Sequence, residues 1–158
     1  MQLILVRHGE AERQTQDDAT RRLTERGQRQ ADWTAQQVLA RYRPDRLVVS
    51  PLKRAKQTMH AFSQQLPDVP LQVLDCIKPD DDAAEALNCL ADLHAECLLV
   101  VCHMNVIAQI ATLLLGDWAE GFELAEARVF EQVLILPEWF VEQWRCVPPA
   151  LNSSLGSE

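Results

Sequence analysis

Leu3–Val6 is an unbroken apolar run that ends abruptly in Arg7-His8-Gly9-Glu10. No polar residue interrupts it, so it has no face to give to water. A run this short and bulky, stopped by a glycine, reads as a buried strand over residues 2–7. Its C-terminal tip then delivers an arginine and a histidine to the surface. A second run of the same kind, Cys97–Cys102, is apolar throughout and is followed at once by His103. Strands without a polar face belong inside a sheet that is covered on both sides. Two such strands, each leading into a histidine, constrain the fold more than any other feature of the chain.

The segments between them supply the cover. Residues 11–22 are polar and aperiodic and read as a loop. Thr24 is placed to cap a helix whose apolar face is Ala31, Ala35, Val38, Leu39 and Tyr42, with Arg43-Pro44-Asp45 as its stop. Arg46–Ser50 reads as the second strand. Ser50 as N-cap and Pro51 at the first helical position open the next helix, with Leu52, Ala55, Met59, Phe62 and Leu66 as its core stripe. Leu71–Leu74 is a short third strand. Asp82 and Glu85 resemble a capping box before Ala83, Ala86, Leu87, Leu90 and Leu93. After His103, Asn105 is placed to cap a helix carrying Val106, Ile110, Ala111, Leu114 and Leu115, ended by Gly116. Phe130–Leu136 and Trp139–Val147 read as an antiparallel pair around Leu136-Pro137-Glu138. Strand and helix thus alternate four times before two final strands. This predicts an α/β fold, a three-layer α/β/α sandwich with a mostly parallel central sheet and an antiparallel edge. Residues 1–150 are read as one domain and residues 151–158 as a C-terminal tail.

Ligands of such sheets bind beyond the carboxyl ends of the strands. Arg7 and His8 follow strand one, Arg54 lies in the first turn after strand two, and His103 follows strand four. Parallel strands bring all four to one edge of the sheet. Arginine forks bind phosphoryl oxygens bidentately and stay charged. A neutral imidazole is a competent nucleophile near pH 7, and the phosphoramidate it forms can be cleaved by water. His8 is the candidate nucleophile, with Arg7, Arg54 and His103 as the groups that bind the phosphoryl oxygens. Arg21 and Asp82 are subsidiary binding candidates. His60 and His94 fall on helices away from the strand tips and are read as surface residues.

Charge agrees with this placement. The formal net charge is −8, which argues against nucleic acid as a partner. Residues 1–60 nevertheless hold 12 of the 15 lysines and arginines against 7 of the 23 carboxylates, a formal +5, and the rest of the chain stands at −13. No segment has the make-up of a signal peptide or a membrane span. The five cysteines form no Cys-x-x-Cys pair, as expected of a reduced cytoplasmic protein.

Four motifs in order carry a resemblance. They are Leu5-Val6-Arg7-His8-Gly9-Glu10; Leu23-Thr24-Glu25-Arg26-Gly27 with Gln30-Ala31; Ser50-Pro51 with Arg54-Ala55, Gln57 and Thr58; and Leu98–Cys102 before His103. Over Leu3 to about Leu115 the chain resembles the histidine phosphatase superfamily, with its phosphoglycerate-mutase-like fold. The resemblance implies that His8 is phosphorylated during turnover, that Arg7, Arg54 and His103 hold the phosphoryl group, and that no metal or organic cofactor takes part.

Residues 67–96 leave no room for the insertions that roof the pocket in the mutases. The chain therefore looks like the short SixA-type phosphohistidine phosphatases. That implies a phosphorylated protein, a histidine phosphotransfer domain, as partner. Two alternatives stand beside it: a phosphatase of small phosphate esters, and a module that binds phosphoprotein without turnover. Ester cleavage needs an acid, for which Asp80, Asp81 and Asp82 lie in roughly the right region. Turn and cap roles fit those aspartates as well. Cys102 stands where the family commonly has glycine or serine, which bears on access and redox sensitivity at the second histidine. Met104-Asn105 stands where short members often have a proline.

Overall fold

The structure is a computed structural model that describes residues 1–13, 17–132 and 140–150. Its elements follow as β1 (Gln2–Arg7), α1 (Glu25–Leu39), β2 (Arg46–Val49), α2 (Lys53–Ser63), β3 (Leu71–Val73), α3 (Ala83–Ala91), β4 (Cys97–Cys102), α4 (Val106–Leu115), β5 (Ala127–Gln132) and β6 (Phe140–Cys146). A 3-10 turn at Asp18–Thr20 lies in the loop between β1 and α1. The expected turn at Leu136-Pro137-Glu138, the second half of the expected strand Phe130–Leu136, Trp139 and the tail 151–158 lie outside the described residues.

The sheet runs in the order β3-β2-β4-β1-β5-β6. β2, β3, β4 and β1 are parallel, whereas β5 is antiparallel to β1 and β6 to β5. The two strands without a polar face are the two central ones. All six residues of β4 and Leu3–Val6 of β1 are buried. Each Val, Leu or Ile so buried contributes about 1.5–3 kcal/mol, which an edge position would forfeit. β3, exposed along its length, takes the edge instead. The sheet separates two apolar cores. α1 and α2 cover one face through Ala35, Val38, Met59 and Phe62. α3 and α4 cover the other through Ala86, Leu90, Ile110 and Leu114. Three layers and a mostly parallel sheet with an antiparallel edge are what the pattern predicts. No helix among the described residues is long and apolar enough to cross a membrane.

Local expectations fare unevenly. Thr24 Oγ1 accepts from the Gly27 amide and caps α1. Asp82 accepts from Ala84 N and caps α3. Gly116, at φ 69°, closes α4 in the left-handed region open to glycine. α1, however, ends at Leu39, short of Pro44. α2 starts at Lys53 behind Leu52, with no side-chain cap. Ser50 is therefore not its cap; its Oγ accepts from Leu52 N at 3.3 Å, ahead of the helix, and bonds His103 Nε2 at 2.7 Å. Asn105 makes no cap bond either, because its amide donates to Asp80. β5 begins three residues before the expected start, at Ala127, where its pairing with β1 begins.

Candidate active site

The strand order places β2, β4 and β1 side by side, so their carboxyl tips adjoin. Arg7 pairs with Cys102 in register, His8 N donates to Cys102 O, and Ser50 N donates to Val101 O. His103 is the next residue after Cys102, and α2 brings Arg54 over the same edge. The four residues expected to converge line one cavity of about 580 Å³, together with Asp18, Arg21, Lys78, Asp80 and Asp81.

His8 is buried at the cavity wall with its protonation geometry set. Its Nδ1 lies 2.7 Å from the Gly9 carbonyl, an acceptor only, so the ring proton sits on Nδ1. Nε2 is left with a lone pair, toward which Arg54 Nε points from 3.4 Å. Burial, with the charges of Arg54 and Arg7, pulls the His8 pKa down to about 4, against the raising effect of the Gly9 carbonyl. His103, its ring centroid 5.1 Å from that of His8, is pulled to about 3 by burial and by its cationic neighbours. Both rings are neutral at pH 7. His103 Nε2 bonds Ser50 Oγ at 2.7 Å, while its Nδ1 is buried without a protein partner.

The guanidiniums are held from behind. Arg7 Nη1 donates to Phe122 O at 2.7 Å, and its Nε is buried and unpartnered. Burial lowers the pKa of Arg7 and of Arg54 from the ordinary guanidinium value. Arg54 is 3% exposed, so a cation is held here almost out of water. Asp18, read only as part of an aperiodic loop, is its partner. Arg54 Nη1 donates to Asp18 O at 2.9 Å and Nη2 to Asp18 Oδ2 at 3.1 Å. Arg21 Nη1 donates to the other oxygen of the same carboxylate at 2.9 Å. These bonds, that from Arg21 foremost, hold the Asp18 carboxyl below its usual range. Its sequence signal was slight: an aspartate three residues before an arginine.

The motif residues that do not line the cavity hold those that do. Thr58 Oγ1 accepts from Gly9 N and donates to Arg54 O, so one hydroxyl ties the loop after β1 to α2. Its i+4 spacing from Arg54 is the signal that would have found it. Gln57 Oε1 accepts from Leu23 N. Glu10 N donates to Gln30 Oε1, Thr24 N to Glu10 O, and the Glu10 carboxylate takes Thr24 Oγ1 and Arg26. Glu10 thus straps α1 to the loop after β1. On the other side, the buried Glu126–Arg128 pair braces residues 120–126. Arg128 donates to Glu120 O and Gly121 O and stacks on Phe122, whose carbonyl holds Arg7.

The remaining candidates separate. Arg21 lines the cavity. Asp82 does not; its carboxylate is used in capping α3. Asp80 lines it with a side chain bonded to Asn105, and Asp81 with one accepting from Lys78 N and paired with Lys78 Nζ. Cys102 is fully buried and its thiol is pushed up to about 12, so no thiolate forms there near neutral pH.

Four cationic side chains, a neutral imidazole with its lone pair on Nε2, and buried nitrogens without protein partners suit a tetrahedral anion. The chain also has measurable relatives. The sequence pattern describing the histidine phosphatase superfamily (branch 1) matches residues 3–78. The chain is 32% identical over 129 residues to a phosphohistidine phosphatase SixA homolog of Haemophilus influenzae, covering 73% of this chain and 78% of that one. In three dimensions it is similar to the protein histidine phosphatase SixA complexed with tungstate, with a TM-score of 0.83 and 23% identity over 96% of this chain and 100% of the other. It is also similar to the alpha-ribazole phosphatase of Shigella flexneri, with a TM-score of 0.73 and 17% identity over 90% and 95%. At identities this low, the two structural likenesses are likenesses of fold.

Proposed function

The chain belongs to the histidine phosphatase superfamily and to its SixA type, and from that premise we propose that it dephosphorylates a phosphohistidine on another protein through a phospho-His8 intermediate. It is a phosphatase; the substrate and the residue roles are the proposal. His8 Nε2 attacks the phosphorus of the bound phosphohistidine. The Nε2–P bond forms as the substrate's N–P bond breaks. Charge gathering on the equatorial oxygens is met by Arg7, Arg54 and His103, with Arg21 at the rim. Water then attacks phospho-His8, its proton passes to the departing phosphate, and the Nε2 lone pair is restored.

The observation that best supports phosphohistidine over an ester is the state of the carboxylates. Asp18 is bonded to Arg54 and Arg21, Asp80 to Asn105, and Asp81 to Lys78. Among the described residues the cavity therefore offers no unengaged carboxyl group to protonate an alkoxide. A phosphohistidine needs none, because its imidazole carries a proton on the other ring nitrogen and leaves neutral. The test is phosphate release from a phosphorylated histidine phosphotransfer domain by the wild type beside His8→Ala. Release that persists in His8→Ala, or none in the wild type, overturns the proposal.

Asp80 and Asp81 do line the cavity, and this favours a second reading, a small-ester phosphatase. It requires ester turnover with an acid-side pH dependence that Asp81→Asn abolishes.

A further inference from the structure

Beside the cavity lies a second concavity that the chemistry leaves unused. It is a groove of about 480 Å³ between the start of α3, the length of α4 and the segment after α4. Ala83, Ala84, Ala108, Leu113, Trp118 and Ala119 make up most of its lining. Trp118 is 77% exposed and Leu113 49%. An indole left almost wholly in water at the lip of an apolar groove is the kind of residue that anchors interfaces.

The groove adjoins the cavity. Asp81 borders the cavity and Asp82, the next residue, borders the groove. On the other wall Met104, in the turn ahead of α4, borders the cavity, and Ala108, in the first turn of α4, borders the groove. One side of an ordinary protein interface covers about 800 Å², a disc of roughly 16 Å radius, which takes in both. A protein that places a phosphorylated side chain in the cavity therefore lays its neighbouring surface over the groove.

Charge states what that surface carries. Residues 79–127, which contain α3, α4 and the whole groove, include ten aspartates and glutamates and no lysine or arginine. The cavity next to them has Arg7, Arg21, Arg54 and Lys78. Basic side chains are thus confined to the cavity, where Asp18, Asp80 and Asp81 also lie, while the groove has one charged lining residue, Asp82, and an apolar centre.

We infer that this groove docks the phosphoprotein substrate, receiving a segment beside the phosphohistidine that presents an aliphatic side chain flanked by lysine or arginine. The inference rests on the reading of the substrate as a phosphoprotein. Trp118 and Leu113 clasp the aliphatic side chain, and Asp82, in a lining without lysine or arginine, selects the basic flank. The groove makes no contact with the reacting atoms. It acts on the affinity for a protein substrate and is indifferent to a small one.

The experiment compares wild type, Trp118→Ala and Gln109→Lys on two substrates, a phosphorylated histidine phosphotransfer domain and phosphoramidate. Gln109 lies exposed in the groove, so its replacement reverses the local charge without touching a core residue. The expected result is a rise of about ten- to thirtyfold in KM for the phosphodomain in each variant, with kcat retained and phosphoramidate turnover unchanged. Unchanged KM for the phosphodomain overturns the inference while leaving the substrate reading in place. Equal losses on both substrates overturn it too, since the groove would then act on the site and not on docking. A wild type that cleaves phosphoramidate but not the phosphodomain removes the substrate reading and the inference with it. A dimer in sedimentation that Trp118→Ala dissolves, with phosphodomain kinetics unchanged, would assign the groove to a second copy of the chain instead.

Discussion

Gly27→Ala tests how tightly the loop after β1, which carries His8, depends on α1. An ideal Cβ at Gly27 falls 2.0 Å from Glu10 O and 2.9 Å from Glu10 C and N. All three are backbone atoms that cannot swing aside. Gly9 is pressed from the opposite direction, because its own Cβ would fall 2.5 Å from Gly27 O. An alanine at 27 must therefore push α1 off the loop by about 1 Å or more to reach ordinary contact. That motion breaks three hydrogen bonds: Thr24 N to Glu10 O at 3.0 Å, Glu10 N to Gln30 Oε1 at 2.8 Å, and Thr24 Oγ1 to Glu10 Oε1 at 2.9 Å. At about 1 kcal/mol each the loss is about 3 kcal/mol. The helix propensity of alanine returns about 1 kcal/mol. The net cost is about 2 kcal/mol, a fall in Tm of roughly 4–8 °C for a domain of this size. Turnover falls further, by about 100-fold, since His8 and Gly9 move by about the same ångström. Thermal melts and steady-state kinetics read both. Gly121→Ala is the control, because its Cβ would meet only the flexible end of Met104, at 3.0 Å. A Gly27→Ala protein that melts and turns over like wild type would refute the close-packing argument.

Acid sensitivity follows from the two rings. His8 and His103 are held near pKa 4 and 3 in the fold, against about 6.5 in the unfolded chain. Below pH 6.5 the unfolded state binds protons that the folded state refuses. Stability is therefore full above that pH and declines as pH falls toward 4, with a slope of up to about 2.7 kcal/mol per pH unit from the pair. Urea midpoints at pH 7.5 and 5.5 should diverge in the wild type and much less in His8→Ala/His103→Ala; ring resonances titrating above pH 6 would contradict this. Asp18 occupies both Nη groups of Arg54, the proposed place of the phosphoryl group. Asp18→Ala removes a like charge from the site and should tighten inorganic phosphate by about tenfold in calorimetry; unchanged or weaker binding counts against the competition. Glu126→Gln leaves Arg128 buried without its counter-ion and should cost about 3 kcal/mol in a denaturant melt, with reduced turnover because Phe122 O holds Arg7. Wild-type stability would show that the pair does not brace that segment.

The large features were legible because they are written in runs of side chains. Leu3–Val6 and Cys97–Cys102 have no face for water, so their places at the centre of the sheet follow from hydrophobicity alone. Parallel order then brings Arg7, His8, Arg54 and His103 to one edge. What stayed hidden is the partner choice of single polar side chains. Ser50 satisfies the pattern of a helix cap equally well whether or not a histidine stands across the strand tip, and here its Oγ bonds His103 as well as Leu52 N, one residue short of the helix. Asn105 is drawn to Asp80 in the same way. Asp18 lies 36 residues from Arg54, and no local period encodes a contact that a loop makes by folding back. Glu126 and Arg128 stand ahead of the expected strand Phe130–Leu136, and only the fold shows them buried against each other.

The most direct test of the central claim is to find where the phosphoryl group goes. The wild type is mixed with a ³²P-labelled phosphohistidine phosphotransfer domain, quenched in alkali within the first turnovers, and digested for mapping. The account predicts label on the peptide containing His8, appearing before free phosphate and absent from His8→Ala. Phosphate release with no label on His8, or label on His103 in its place, would contradict it.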